Sequence, residues 1–242
     1  MTGMHLESVT RRFGGLIAVN AVDLDLYEGE LLGLIGPNGS GKSTLLNMIS
    51  GRLMPSSGRM ALNGEDITRE KAPARSRAGI AATFQMVHVP DVLTAEDNVA
   101  VAAMYGRKKL NVEPARRVAR ELLRRVHFSA PLDAPPGALT YFDQKRIELA
   151  RALATEPDIL LLDEWLAGLT PTELNEGIKL IRSLHRDEKL TIVLVEHVMA
   201  AIRELCDRVV VLSAGEIVAE GSADDCLSNP KVITVYLGDE DV

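Results

Sequence analysis

The chain has 242 residues, 46% of them hydrophobic and 25% charged, the balance of an ordinary globular protein built as one large domain or two small ones. Its net charge of −7 argues against a general nucleic-acid binder, so no nucleic-acid partner is expected. No apolar run approaches the ~18 residues of a membrane span, the opening MTGMHLESVTRRF lacks the apolar stretch of a signal peptide, and Cys206 and Cys226 have no metal-ligand spacing, so a reducing compartment without disulfides is expected.

In chain order, VDLDL (22–26) alternates apolar and acidic residues, the period-2 pattern of a half-buried strand. After a Gly-Glu turn, LLGLI (31–35) is too short for a helix and apolar enough for a buried strand. GPNGSGKST (36–44) follows, and KSTLLNMIS (42–50) places Leu45, Leu46 and Ile49 at helical spacing before stopping at Gly51. Residues 55–69 are turn-rich. Residues 86–138 carry helical patterns (TAEDNVAVAAMY, EPARRVARELLRRV) and then SAPLDAPPGA, which reads as a helical insert. Downstream come a helix at about 143–155, the strand DILLLD (158–163), a helix at 171–186, the strand TIVLVE (191–196), a helix at 198–205 and a strand pair, RVVVLSAGEIVAEG, turning at Ala214-Gly215. Apolar strands alternating with helices predict an α/β protein with a mostly parallel sheet covered on both faces, and the final hairpin predicts an antiparallel edge.

Stretch 36–44, with a strand before it and a helix after it, sets the first functional expectation. A helix N-terminus leaves backbone N–H groups unpaired and carries roughly half a positive charge. Gly36, Gly39 and Gly41 let the backbone curl so that these groups converge on one anion, and a side chain there would block the approach. Lys42 adds a point charge within reach of outer phosphates, and Ser43 a hydroxyl where Mg²⁺ would bridge them. The pattern is G-x-x-x-x-G-K-[ST], the phosphate-binding P-loop. By itself it does not say what the nucleotide's energy does. ILLLDE (159–164) ends a buried strand in two carboxylates, at the end where parallel sheets build their sites. There Asp163 would hold Mg²⁺ and Glu164 would polarise the attacking water as general base. The next strand delivers His197, which would bridge the γ-phosphate and the base.

Together these parts resemble the ATP-binding-cassette (ABC) ATPases, in that family's order, from Phe13 to about Gly221. GPNGSGKST stands as Walker A, Gln85 in ATFQ as the Q-loop, LTYFDQKR (139–146) where the signature LSGGQ would sit, ILLLDE as Walker B and His197 in VEH as the switch histidine. RFGGLIAVNAVDLDLYEGE, the Tyr after the signature Leu-Thr, AGLTP after Walker B, and VEHVM are similar to ATPase subunits of bacterial branched-chain amino-acid importers and their amide or urea relatives.

The resemblance implies a P-loop NTPase fold of the ABC type: a mostly parallel core sheet, an antiparallel β part and an inserted helical subdomain. It implies a single ABC ATPase domain over 1–242, with 1–85 and 139–242 as the RecA-like catalytic core with its β subdomain and about 86–138 as the helical subdomain. The implied ligands are ATP and Mg²⁺. ATP would stack on Phe13, pass Ala18 and lie on Pro37, Asn38, Gly39, Ser40, Gly41, Lys42, Ser43 and Thr44; Mg²⁺ would sit on Ser43, Gln85 and Asp163; Glu164, His197 and Lys42 would carry the catalysis. Two cassettes, alike or unlike, would face head to tail, so that each ATP also meets Thr140 and Phe142 of the other's signature. Further partners would be two transmembrane permease subunits and, indirectly, a periplasmic or extracellular solute-binding protein. The chain would lie peripherally on the cytoplasmic face of the inner membrane. An ATPase of a lipid or polysaccharide exporter, or a hydrolysis-impaired cassette, stays open as an alternative.

Departures from the family pattern raise that last alternative. Phe142 stands at the signature's second glycine position, where a ring would crowd the partner's ATP unless it turns away, and Asp143 adds a negative charge. Trp165, the sole tryptophan, replaces the usual proline after Glu164, with packing as its expected role and a subunit contact second. Thr170 stands where many members carry an aspartate linking the two sites. Arg116, Arg120 and Arg124 are expected to form a solvated stripe, and Met48, Met86 and Met199 to fill core; His5, His88, His127 and His185 have no partner legible in sequence.

Overall fold

The computed structural model describes residues 2–237. In chain order it has β1 (Thr2–Phe13), β2 (Leu16–Tyr27), β3 (Leu31–Ile35), α1 (Lys42–Ile49), β4 (Ser57–Leu62), β5 (Glu65–Asp66), α2 (Ala72–Arg77), β6 (Ile80–Ala82), α3 (Ala95–Tyr105), α4 (Val112–Arg125), a 3₁₀ turn at Pro136–Ala138, and α5 (Tyr141–Leu153). It continues with β7 (Ile159–Asp163), α6 (Pro171–Glu188), β8 (Thr191–Val195), α7 (Met199–Leu205), β9 (Arg208–Ser213), β10 (Glu216–Gly221), α8 (Ala223–Ser228) and α9 (Pro230–Leu237).

Two sheets result. One has the order β10-β9-β3-β8-β7-β6 and is parallel except for β10, which pairs antiparallel with β9 at the edge, as the hairpin at Ala214-Gly215 predicts. The other, β2-β1-β4-β5, is antiparallel. Side-chain alternation explains why the central strands are apolar on both faces. Leu32, Leu34, Leu161, Val193, Val195 and Val210 point into one core, shared with α1 and the antiparallel sheet. Leu31, Ile35, Leu160, Leu162, Ile192, Leu194 and Val211 point into the other, shared with α5, α6, α7 and the helices α3 and α4.

The register places the working ends together. Leu34 lies beside Val195, and Val195 beside Asp163, so the loops after β3, β7 and β8 leave the sheet at one edge. Capping fixes where the helices begin: Thr94, Thr140, Thr170 and Ser222 each accept a backbone N–H three residues on, and Thr170 with Glu173 forms a full capping box.

The structure corrects several expectations. Residues 55–69 hold strands β4 and β5, because Asn63-Gly64 takes two left-handed conformations and closes a tight hairpin. Met86 is exposed, whereas Met48 is buried in the core shared with α1 and Met199 packs against the core shared with α5, α6 and α7. Arg116 and Arg120 are not merely solvated: each meets a carboxylate of α3, Asp97 and Glu96, at 2.9 Å. His5 lies 2.6 Å from Asp25, and His185 3.1 Å from the Leu190 carbonyl.

Candidate active site

The loop between β3 and α1 curls because its glycines adopt conformations closed to other residues. Gly36 and Gly41 have φ of 149° and 107°, and a Cβ on them would lie 2.0 Å from the Leu212 carbonyl oxygen and 2.4 Å from that of Ala18. The obstruction is the protein's own backbone, which corrects the expectation that a side chain would block the ligand; at Gly39 a Cβ would meet nothing, and only its φ of 77° demands glycine. Gly41 is the N-cap of α1 and brings no side chain to it, so the first-turn amides and the positive helix end face outward. The buried Ser40 hydroxyl has no hydrogen-bond partner. Lys42 is buried and donates to the carbonyls of Gly36 and Pro37 at 2.8 and 2.9 Å, which draws its ammonium across the mouth of the loop. Burial pushes its pKa down, against the pull of Glu164 and Asp163. Ala18 lines the loop through its carbonyl, and Phe13, at the end of β1, is half exposed under the Arg11 guanidinium.

At the C-terminal end of β7, Asp163 is buried and its Oδ1 lies 3.4 Å from the Ser43 hydroxyl. Burial pushes its carboxyl up, opposed by the Ser43 hydrogen bond and raised again by the neighbouring Glu164. Lys42 and Arg52 also pull it down, and a hydroxyl beside a buried carboxylate fits a hard divalent cation. Among the described residues no cluster of three His, Cys, Asp or Glu side chains could hold a metal by itself, so such an ion would draw its remaining ligands from phosphate and water. Glu164 has φ of 50°, a left-handed backbone costing on the order of 1–2 kcal/mol in a non-glycine residue. That conformation presents its carboxylate to two groups: Gln85 Nε2 donates to Oε2 at 3.1 Å, and His197 Nε2 lies 3.0 Å from Oε1. Gln85, expected with Ser43 and Asp163, thus meets Glu164 instead.

Beneath these residues lies a buried ionic cluster that sequence reading missed. Lys145 and Glu148 on α5 and Glu196 after β8 are each buried to within a few per cent. Burial pushes both carboxyls up to about 7, with Lys145 pulling the other way. Glu148 accepts the Phe84 N–H at 3.1 Å and so holds the segment before Gln85; Glu196 accepts the Leu166 N–H at 2.6 Å and holds the loop after Glu164. The available signal was a carboxylate inside the apolar periodicity of α5.

The signature segment departs most from expectation. Thr140 caps α5, accepting the Asp143 N–H and donating to the Asp143 carboxylate at 2.8 Å. The Phe142 ring is 3% exposed and turns inward, packing on Trp165 with centroids 6.1 Å apart and lying 3.9 Å beneath the Arg146 guanidinium. Its side chain is therefore no part of a ligand surface, and only its main-chain N–H, at the start of α5, remains for that purpose. The negative charge of Asp143 is paired with Arg146 at 3.1 Å.

Fold and loop together define a P-loop nucleotide-binding ATPase. The ABC transporter family model matches residues 19–167. The chain is 36% identical to the high-affinity branched-chain amino acid transport ATP-binding protein BraF of Pseudomonas aeruginosa and 35% identical to LivG of Escherichia coli K12, each across 98% of both chains. Among solved structures it is similar to the ADP conformation of MJ1267, an ATP-binding cassette of an ABC transporter, with a TM-score of 0.89, 28% identity and 98% and 99% of the two chains covered. It is also similar to the dimeric post-hydrolysis cassette MJ0796 bound to ADP and Pi, with a TM-score of 0.81, 28% identity and 91% and 98% coverage. The chain belongs to the ABC transporter family, as an ATP-binding and ATP-hydrolysing cassette subunit.

Proposed function

We propose that this cassette energises import of branched-chain amino acids or closely related small amino-acid or amide solutes. The observation that carries the catalytic part is the Glu164 carboxylate held between Gln85 and His197 at the mouth of the P-loop. The solute class is supported by full-length likeness to BraF and LivG.

In this reading the α1 amides and Lys42 hold the triphosphate, and Phe13 and Ala18 border the nucleoside end. Ser43 and Asp163, joined by Gln85 when it turns from Glu164, would hold Mg²⁺, which would offset phosphate charge. Glu164 accepts a proton from water as the water oxygen bonds the γ-phosphorus and the bond to the ADP oxygen breaks; His197 keeps the carboxylate aimed. A second cassette supplies the free amides at the start of α5, with Thr140 at their head. Residues 1–85 and 139–242 form the catalytic unit, and about 86–138 a helical unit. Met86, Val92, Val101 and Tyr105 expose apolar surface on and before α3. Beside them a cleft of about 220 Å³ is lined by Arg52, Phe84, Ala102, Glu148 and Arg151. This surface suits a permease subunit, which would place the chain on the cytoplasmic membrane face. Among the described residues no helix is long and apolar enough to cross a membrane.

The test is purification from native membranes in mild detergent, followed by ATPase assay in proteoliposomes. Permease subunits should co-purify, and a binding protein loaded with leucine, isoleucine or valine should raise turnover several-fold. Co-purification of lipid- or polysaccharide-export subunits, or of ribosomes, would overturn the reading.

A further inference from the structure

The two largest departures in this sequence, Phe142 and Trp165, touch each other. Phe142 stands in the first turn of α5, and Trp165 follows Glu164 directly. Their rings are both buried, tilted by 57° with centroids 6.1 Å apart. Two further contacts bind the same two segments: the Trp165 indole N–H donates to the Lys145 carbonyl at 3.1 Å, and the Lys145 ammonium donates to the Glu164 carbonyl at 3.4 Å. Arg146 closes the far side, stacked on Phe142 at 3.9 Å and ion-paired to Asp143 and, at 2.7 Å, to Glu176 on α6. Gly177 on α6 leaves room for this loop, since a Cβ there would lie 2.7 Å from Leu166 Cδ2 and 3.2 Å from the Trp165 ring.

We propose that Phe142, Trp165 and Lys145 form a strut that sets the position of the Glu164 carboxylate relative to the start of α5, making them positioning residues for ATP hydrolysis. This rests on the reading of Glu164 as the base and of the α5 start as the surface meeting a second cassette's ATP. The geometry supports a strut rather than plain core because the Lys145 ammonium ends on the Glu164 carbonyl and the ring that Phe142 packs on belongs to the next residue, so α5 grips the chain on the C-terminal side of Glu164, whose left-handed backbone needs an outside constraint. Through it, ATP seated on α5 is felt at the same subunit's own hydrolytic glutamate.

Conservative variants test this in the full chain: Phe142→Leu keeps apolar volume, and Trp165→Phe keeps a ring but removes the N–H. Each should lower kcat by about 10-fold while the ATP Kd stays within about 2-fold, since displacement of a catalytic group costs rate and not ground-state binding. Because both act through one strut, the double variant should be no slower than the worse single variant. In the Glu164→Gln background, Mg-ATP should shift Trp165 emission, and Phe142→Leu should abolish the shift. Trp165 is the only tryptophan, so the signal has one source. Full turnover in both single variants at a temperature where circular dichroism shows them folded would overturn the strut and leave the catalytic reading standing. Multiplicative losses, or emission indifferent to nucleotide, would overturn it as well. Undiminished turnover in Glu164→Gln alone would overturn the catalytic reading and the strut with it.

Discussion

Lys42 sits against two carbonyls of its own loop, with Asp163 and Glu164 near enough to offset the cost of burying its charge. An ammonium whose hydrogen bonds go to neutral carbonyls makes stronger ones to an anionic oxygen, and a triphosphate supplies these. Lys42→Ala should therefore weaken ATP binding by roughly 10–100-fold, about 1.4–2.8 kcal/mol. Isothermal titration on the purified chain measures this, and a Kd unchanged within twofold would contradict the phosphate role. At the same scale, Glu164 shows what a residue type alone does not reveal. The DE pair is legible in sequence, but the left-handed backbone and the two partners that aim its carboxylate arise only when β7, β8 and the Gln85 segment come side by side.

Helix α5 does two jobs, and its buried acid links them. Glu148 lies inside the helix's apolar face and holds the Phe84 N–H, so the segment carrying Gln85 hangs from the same helix that begins with the signature. Its carboxyl is pushed up by burial from 4.5 to about 7. Below pH 4.5 both folded and unfolded chains carry it protonated and no charge is buried. As pH rises toward 7 the unfolded chain gives up the proton first, and stability falls; above 7 the folded chain carries the full cost. Glu148→Gln keeps an acceptor for Phe84 and removes the charge. It should raise urea-denaturation stability at pH 8 by on the order of 1–3 kcal/mol, with the gain shrinking toward pH 5. A gain independent of pH would contradict the assignment. Elements were read unevenly from sequence for a physical reason. The strongly periodic ones, β3, β7, β8, α5 and α6, appear within two residues of expectation. By contrast β1, β4 and α9 went unread, since β1 takes its form from pairing with β2 and β4, which no local pattern announces.

Across the whole molecule, the P-loop, Glu164 and the start of α5 cannot all meet one nucleotide within one chain in the proposed reading, because the signature serves the opposite site. Glu164→Gln should accordingly trap a dimer in Mg-ATP, seen as a doubled mass by analytical ultracentrifugation, whereas the unmodified chain reverts to monomer as ATP is consumed. A monomer throughout would argue against the shared site. Sequence alone determined the phosphate loop, the carboxylate pair and the alternation of apolar strands with helices, since each depends on neighbours within a few residues along the chain. Only tertiary structure decided where the Phe142 ring goes, which groups hold Glu164, and that three buried charges, Lys145, Glu148 and Glu196, lie beneath the site. Those outcomes depend on contacts between segments 20 to 80 residues apart, and packing across such distances has no periodicity for a linear pattern to display.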